Sequence, residues 1–102
     1  MRRIYISGKI TGDDNYKKKF EAAEKALLKF FDNKVDVYNP AKLDLGPDAT
    51  WKQYMRIDIQ MLCSCDTIYM LSDWKKSRGA RFERKVAEKL GIEIAYERIV
   101  IF

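Results

Sequence analysis

The chain has 102 residues, a length that suits one folded domain over residues 1–102 with a real hydrophobic core. Hydrophobic residues make up 47% of it, but no apolar run approaches the thickness of a bilayer and no signal peptide precedes the first strand pattern. We therefore predict a cytoplasmic protein with no membrane partner. The net charge of +5 suits an anionic partner such as a nucleotide phosphate, a nucleic acid or an acidic surface.

The first half of the chain predicts a strand, a helix and a second strand. These elements are a strand at Arg3–Ser7, a glycine loop at Gly8–Gly12, a helix from near Asp13–Asn15 to about Phe31, a strand at Val35–Tyr38 and a loop over residues 40–50. A glycine loop between a strand and a helix lets the backbone approach a ligand and offers N–H groups to an anion.

The second half continues this alternation. Its predicted elements are a helix from the N-cap Thr50 to about Leu62, a strand at Asp66–Leu71, a helix from about Gly79 to Leu90 that ends at Gly91, a strand at Ile92–Tyr96, and Ile99–Phe102, which extends that strand or forms a fifth. The alternation predicts an α/β fold, namely a single doubly wound domain, Rossmann-like or flavodoxin-like. Its parallel sheet has four to five strands flanked by helices.

Two clusters supply much of the positive charge. Lys17–Lys19 fall mostly outside the apolar stripe of the first helix, so we expect them on a solvated face. Lys75, Lys76, Arg78 and Arg81 surround the polar loop before the last helix. That loop is the better candidate for an anion site.

The two cysteines, Cys63 and Cys65, are separated by one residue, and the chain has no histidine. This spacing is neither a CxxC redox motif nor a pattern typical of structural zinc. We expect both thiols to be reduced and mostly buried, and we predict that the protein needs no metal and no organic cofactor.

Glu83 is an unusual residue of the last predicted helix. At about 100° of rotation per residue it projects with Val86, Ala87 and Leu90, so its carboxylate lies on the apolar stripe. We place it in the first turn or so of the helix, at the carboxyl end of a strand, where the helix dipole favours the charged form. It is either a nucleophile or ionic anchor, or a structural glutamate that caps the helix or pairs with Arg81 or Arg84.

Asp58 is a second carboxylate on an apolar face. It projects among Trp51, Tyr54, Met55 and Leu62. Its structural alternative is a hydrogen bond to a tyrosine or to a loop backbone. Two carboxylates in unlike surroundings can also divide the acid and nucleophile roles in cleaving a glycosidic bond.

Five segments together resemble a small family of bacterial and phage proteins, DUF4406. They are Tyr5–Gly12, Tyr38–Ala41, Trp51–Ile59, Cys65–Leu71 and Ser77–Glu83. This family is similar to the nucleoside 2-deoxyribosyltransferases and the deoxynucleoside 5′-monophosphate N-glycosidases.

The resemblance implies roles for individual residues. It implies that Glu83 is the nucleophile that forms a covalent glycosyl intermediate, that Asp58 protonates the departing base, and that Tyr5 orients Glu83. It also puts Gly8 in the loop beside the sugar and phosphate. The candidate substrate-binding residues are Ser7, Gly8, Ile10, Trp51, Tyr54, Asp73, Ser77 and Gly79, with Trp51 or Tyr54 stacking on the base.

The chain departs from these enzymes at two places. The transferases that act on free nucleosides have an aspartate six residues before the nucleophile, whereas this chain has Ser77. A serine there resembles the branch that hydrolyses monophosphates. After Glu83 the chain has Arg84-Lys85-Val86, where the characterised enzymes tend to have a small residue next to the nucleophile.

The residues and the resemblance together predict an enzyme that cleaves, or exchanges the base of, a (deoxy)nucleoside 5′-monophosphate. We expect a homo-oligomer, a dimer or larger. Two other functions fit: a non-catalytic nucleotide-binding or sensing module, and a nucleic-acid-binding domain. Nucleic acid is the least favoured partner, because no recognised binding motif accompanies the positive charge.

Overall fold

The computed structural model describes residues 1–98, and the predicted strand at Ile99–Phe102 lies outside the described residues. The elements are β1 (Arg2–Ser7), α1 (Tyr16–Phe30), β2 (Val35–Tyr38), α2 (Trp51–Cys63), β3 (Thr67–Met70), α3 (Arg78–Lys89) and β4 (Glu93–Tyr96). Two short 3-10 helices, Pro40–Lys42 and Trp74–Lys76, lie within segments predicted as loops. Of the helices within residues 1–98, none has the length and apolar character needed to cross a bilayer.

The strands form a four-stranded parallel sheet in the order β2-β1-β3-β4, which confirms the predicted doubly wound α/β fold. The chain leaves β1 in one direction to form β2 and then crosses back to form β3 on the other side. The strand order therefore reverses between β1 and β3. In open α/β sheets a crevice for ligands lies at such a reversal, beyond the carboxyl ends of the strands.

The side chains of β1 alternate between two hydrophobic layers. Ile4 and Ile6 pack in one layer with buried residues of α1. Tyr5 packs in the opposite layer with Ala80 of α3 and Leu62 of α2. Because the strand period is two, Ser7 shares the face of Tyr5. Two hydroxyl groups of the central strand therefore point toward α2 and α3.

Capping residues fix where α2 and α3 begin. The predicted N-cap Thr50 is confirmed: its hydroxyl accepts from the N–H of Gln53, whose side chain accepts in return from the Thr50 N–H. Ser77 caps α3, since its Oγ accepts from the N–H of Ala80 at 3.1 Å. Both helices therefore start at the edge of the sheet where the strands end.

Two predictions about burial are wrong. Leu90 is 58% exposed, because α3 ends at Lys89 and Leu90 is the C-cap residue beyond its packed turns. Cys63 is exposed as the last residue of α2, whereas Cys65 is buried in the layer between the sheet and the helices α2 and α3. Both thiols are free, as expected.

Gly8 is required by close packing where β1 ends. A Cβ at this position would lie 2.7 Å from Cδ1 and 2.9 Å from Cβ of Leu71, which is fully buried. We expect Gly8→Ala to lower the free energy of unfolding by about 1–3 kcal/mol, because the buried Leu71 side chain or the backbone must shift to accept the added methyl group. Denaturant unfolding measures this change.

Gly79→Ala is the matched control for this prediction. Its added Cβ would come closest to the flexible Met55 Sδ, at 3.3 Å, and the next atom, Trp51 Nε1, would be at an ordinary contact distance of 3.7 Å. Alanine also favours a helix over glycine. We expect its stability to stay within about 1 kcal/mol of the wild type. Equal losses in the two variants would contradict the packing explanation.

Candidate active site

A cavity of about 760 Å³ opens beyond the carboxyl ends of β1 and β3. Its volume falls in the range typical of small-molecule sites. The loop after β1, the start of α2 and the start of α3 line it. Among the lining residues are most of the predicted site, namely Tyr5, Gly8, Ile10, Trp51, Tyr54, Asp58, Ser77, Gly79 and Glu83.

Glu83 lies at the inner wall of this cavity and is 4% exposed. The Tyr5 hydroxyl donates to its Oε2 at 2.6 Å, and the Ser7 hydroxyl donates to its Oε1 at 2.6 Å. Each carboxylate oxygen thus accepts a hydrogen bond from β1. Neither Arg81 nor Arg84 pairs with Glu83; Arg84 bonds instead to Glu88 and Tyr96. The predicted structural alternative, an ion pair with a neighbouring arginine, is therefore not found within residues 1–98.

Burial controls the protonation of Glu83. The pKa of this carboxyl is raised to about 8, mainly by burial. The hydrogen bonds from Ser7 and Tyr5 act in the opposite direction, and the negative charge of Asp58 adds a smaller upward contribution. Our expectation that the helix dipole favours the charged form is wrong. Glu83 is the sixth residue of α3, beyond the exposed N–H groups of the first turn, and desolvation dominates there.

Tyr5 is suited to act as a hydrogen-bond donor. Its side chain is fully buried, and burial, with the nearby charge of Glu83, raises its pKa well above the ordinary value. The phenol therefore keeps its proton over the physiological range.

Asp58 is a buried carboxylate with one oxygen that lacks a partner among the described residues. It lies on the cavity side of α2, is 7% exposed, and its Oδ1 has no hydrogen-bond partner within residues 1–98. The predicted structural alternative, a bond to a tyrosine or loop backbone, is therefore not found in that part of the chain. Burial raises the pKa of Asp58 to about 7. An unsatisfied buried oxygen facing a cavity is a group that a ligand can satisfy.

One part of the cavity wall is positively charged. Lys9, Lys76 and Arg78 line it, and none of them forms an ion pair within residues 1–98. The Arg78 guanidinium stacks on Trp51 at 3.9 Å from the ring centroid, which restricts its position. The N-terminus of α3 lies in the same wall, so charge and helix dipole both favour an anion here.

Two predicted substrate-binding residues do not line the cavity. Ser7 is fully buried behind Glu83, and its hydroxyl proton is used by that carboxylate. Asp73 accepts from the N–H of Lys9 at 3.1 Å and pairs with Lys19. Both side chains are therefore positioned to support the site, because internal bonds already occupy their polar groups.

Lys19 is a residue that the sequence pattern assigned to the wrong environment. We expected it on a solvated face, but its side chain is 23% exposed and its Nζ donates to the Lys9 carbonyl, Asp13 and Asp73. Burial alone would lower the pKa of Lys19, but the bonds to the two carboxylates outweigh it and raise the pKa. Asp13 and Asp73 lie in separate loops, so local periodicity carries no signal of this cluster.

The family of the chain follows from a sequence comparison. Residues 2–96 match the family described as "Domain of unknown function (DUF4406)". The chain belongs to the DUF4406 family. This match confirms the resemblance predicted from the five segments. No curated protein matches this DUF4406 chain in sequence.

Two solved structures are similar to this DUF4406 chain. One is described as a 2-desoxiribosyltransferase from Leishmania mexicana, with a TM-score of 0.71, 20% identity and coverage of 94% of this chain and 63% of that one. The other is a conserved protein from Enterococcus faecalis V583, with a TM-score of 0.66, 23% identity and coverage of 94% and 62%. The chain thus spans slightly less than two thirds of each. These similarities establish a shared fold.

Within residues 1–98 no group of three acidic or cysteine side chains lies close enough together to hold a metal ion. The polar groups of the cavity are instead a hydrogen-bonded carboxylate, an unpartnered carboxylate and a cationic wall. This set can accept a ligand that offers a hydrogen-bond donor at one end and an anion at the other.

The raised pKa values predict how stability depends on pH. Between their unfolded and folded pKa values, Glu83 and Asp58 hold protons in the native state that the unfolded chain has released. Their contribution to stability is therefore complete at low pH and is lost as pH rises toward about 8. We expect Glu83→Gln and Asp58→Asn to be more stable than the wild type at about pH 8, and the difference to be smallest near pH 4. Between the unfolded and folded pKa values, the difference should grow by up to about 1.4 kcal/mol for each pH unit.

Thermal unfolding across this pH range measures the difference, and Glu88→Gln, an exposed glutamate of α3, is the control. Its stability difference from the wild type should vary little with pH. If the stabilities of the Glu83 and Asp58 variants differed from that of the wild type by the same amount at every pH, this would contradict the raised pKa values of the two carboxyls.

Proposed function

We propose that this domain cleaves the N-glycosidic bond of a (deoxy)nucleoside 5′-monophosphate through a covalent glycosyl-glutamate intermediate. The observation that carries the proposal is the buried Glu83 carboxylate, which two hydroxyls of β1 hold at the cavity, with the unpartnered Asp58 in the same wall. The similarity of fold to a 2-desoxiribosyltransferase supports nucleoside glycosyl transfer as the class of reaction.

In the first step one oxygen of ionised Glu83 attacks the anomeric carbon of the sugar. The bond from that carbon to the base nitrogen breaks, its electron pair goes to the base, and Asp58 supplies the proton. In the second step Asp58 takes a proton from water, which attacks the anomeric carbon and releases Glu83. A second base in place of water gives base exchange. The covalent route divides one difficult displacement into two easier ones.

Tyr5 and Ser7 keep Glu83 in one orientation for this attack. Because both donors belong to the central strand, the carboxylate has little freedom to rotate away from the sugar. A fixed nucleophile in a poorly solvated site loses less free energy to reorganisation during the reaction.

The cationic wall is the proposed phosphate site. The Oγ of Ser77 accepts from the Ala80 N–H and its own proton remains available to donate to a phosphate oxygen. Lys76 and Arg78 flank it, and the first N–H groups of α3 face the same region. An aspartate in place of Ser77 would repel a phosphate, so this wall favours a monophosphate over a free nucleoside.

The base is assigned to the aromatic side of the cavity near Asp58. Trp51 and Tyr54 both line that side. Arg78 covers one face of Trp51, whereas the Tyr54 hydroxyl accepts from the N–H of Leu45 at 3.1 Å. This arrangement favours Tyr54 as the stacking partner of the base.

A homodimer or larger assembly remains part of the proposal. Large apolar side chains are exposed on both helical layers, including Phe30 on α1 and Phe82 on α3. Phe82 immediately precedes Glu83, so a second copy packed on it would lie close to the site.

A non-catalytic nucleotide-binding module is the second candidate function. One observation favours it: a pKa of about 8 leaves most of Glu83 protonated at neutral pH, and a neutral carboxyl is a poor nucleophile. Such a module binds nucleotides without releasing the base.

Removal of the nucleophile separates the two functions. We expect the wild type to release free base from a 5′-monophosphate, and Glu83→Ala to release it at least about a thousandfold more slowly. Chromatography of a panel of deoxynucleosides and their monophosphates measures release, with and without an acceptor base. Glu88→Gln, on the exposed side of the same helix, should keep full activity. Nucleotide binding by wild type and Glu83→Ala with no release from any substrate would instead establish the binding module.

The rate of base release should show a bell-shaped dependence on pH. Glu83 must be ionised, so its pKa of about 8 makes the rate rise with pH; Asp58 must be protonated, so its pKa of about 7 makes the rate fall. We expect a maximum between these values, with only a minority of molecules in the active protonation state. Asp58→Asn should lose the falling limb. A wild-type rate that is highest near pH 5 would contradict these roles.

A further inference from the structure

Two loops meet at the phosphate side of the cavity, and one lysine joins them. The first loop, residues 8–15, follows β1, and the second, residues 71–77, follows β3. Lys19 projects from the first turn of α1 and reaches both. Its Nζ donates to the Lys9 carbonyl at 2.8 Å and to Asp13 Oδ2 at 2.6 Å in the first loop, and to Asp73 Oδ2 in the second.

These bonds use the full donor capacity of Lys19. An ammonium group has three N–H donors, and here each has an oxygen acceptor. Asp73 closes the arrangement, because its other oxygen accepts from the N–H of Lys9 at 3.1 Å. We call Lys19, Asp13, Asp73 and the Lys9 backbone the loop clasp.

The loop clasp contains two carboxylates beside a wall suited to an anion. Lys9 borders both features, since its backbone belongs to the clasp and the residue is part of the cavity lining. Without Lys19, the charge of Asp73 would lose its ion-pair partner and Asp13 would keep only the weaker influence of the Lys9 charge, so both carboxylates would act more strongly on that wall. The side chains of Lys19 and both aspartates are about a quarter exposed, so solvent screens them less than a surface pair.

We propose that Lys19 is a positioning residue for phosphate recognition. It holds the loop after β1 against the loop after β3, and it neutralises Asp13 and Asp73 so that the edge of the cavity accepts a dianion. This inference rests on the proposed function for its ligand, a nucleoside 5′-monophosphate. It assigns Asp73 to the support of the phosphate site, with no direct contact to the substrate.

Equilibrium binding tests the inference without requiring turnover. The probes are the 5′-monophosphates of deoxyadenosine, deoxyguanosine, deoxycytidine and thymidine, with each parent nucleoside measured in parallel by titration calorimetry. The variants are Lys19→Met, Asp73→Asn and the double variant. Lys25→Met is the matched control, because it removes one positive charge from the same helix and, among residues 1–98, breaks only the exposed pair with Glu21. Thermal unfolding verifies that each variant folds.

We expect Lys19→Met to raise the Kd for monophosphates on the order of tenfold and the Kd for nucleosides by less than about threefold, since a charge effect acts on the phosphate alone. Adding Asp73→Asn to Lys19→Met should recover most of the lost affinity. Asp73→Asn alone should bind monophosphates more tightly than the wild type, because the amide keeps one oxygen to accept from the Lys9 N–H and removes a negative charge. This variant keeps the test open if Lys19→Met fails to fold. Lys25→Met should bind both ligands as the wild type does.

Four results would overturn the inference. The first two are equal weakening of nucleoside and monophosphate binding in Lys19→Met, and no recovery in the double variant. The other two are weaker monophosphate binding in Asp73→Asn than in the wild type, and a wild type that binds nucleosides and monophosphates equally. Base release is measured separately, so loss of the catalytic proposal with intact, clasp-dependent monophosphate binding leaves this inference supported.

Discussion

The burial of one carboxylate against the central strand is the constraint on which the site depends. Glu83 is removed from water and receives hydrogen bonds from both Tyr5 and Ser7, each at 2.6 Å. Such a group requires donors that do not move, since an unsatisfied buried carboxylate is costly. β1 supplies them because it lies inside the sheet between β2 and β3. The contact joins β1 to α3, whose first residues place Arg78 and its cap Ser77 in the cavity wall.

The fold was readable from the sequence because its signals are local. Alternating apolar runs and capped amphipathic segments gave the order of elements, and Thr50 marked a helix start correctly. The errors lie where local pattern and tertiary packing differ. Leu90 continues the apolar stripe in sequence, yet the helix ends before it. Cys63 and Cys65 look equivalent in sequence, but only the second reaches the core.

The site was readable in part for the same reason. Helical rotation identified Glu83 and Asp58, since a carboxylate on an apolar stripe is visible in one helix alone. The sequence did not predict their raised pKa values, because these depend on how completely other elements exclude water from each carboxyl. The bond between Lys19 and Asp73 could not be predicted from the sequence either, because it joins residues far apart in the chain and no periodicity links them.

The alternation of β1 ties formation of the site to formation of the core. Ile4 and Ile6 fill one hydrophobic layer while Tyr5 and Ser7 hold Glu83 in the other. A slip of one residue in the pairing of this strand would exchange the two sets, burying hydroxyls among apolar side chains and turning isoleucines toward the carboxylate. A chain with this register error would therefore lose both the packing of the isoleucines and the hydrogen bonds to Glu83. A molecule that retains the native layers also retains Glu83 bonded to Tyr5 and Ser7. Partial loss of structure should therefore lower the number of molecules that have this site, and leave the site unchanged in the molecules that keep it.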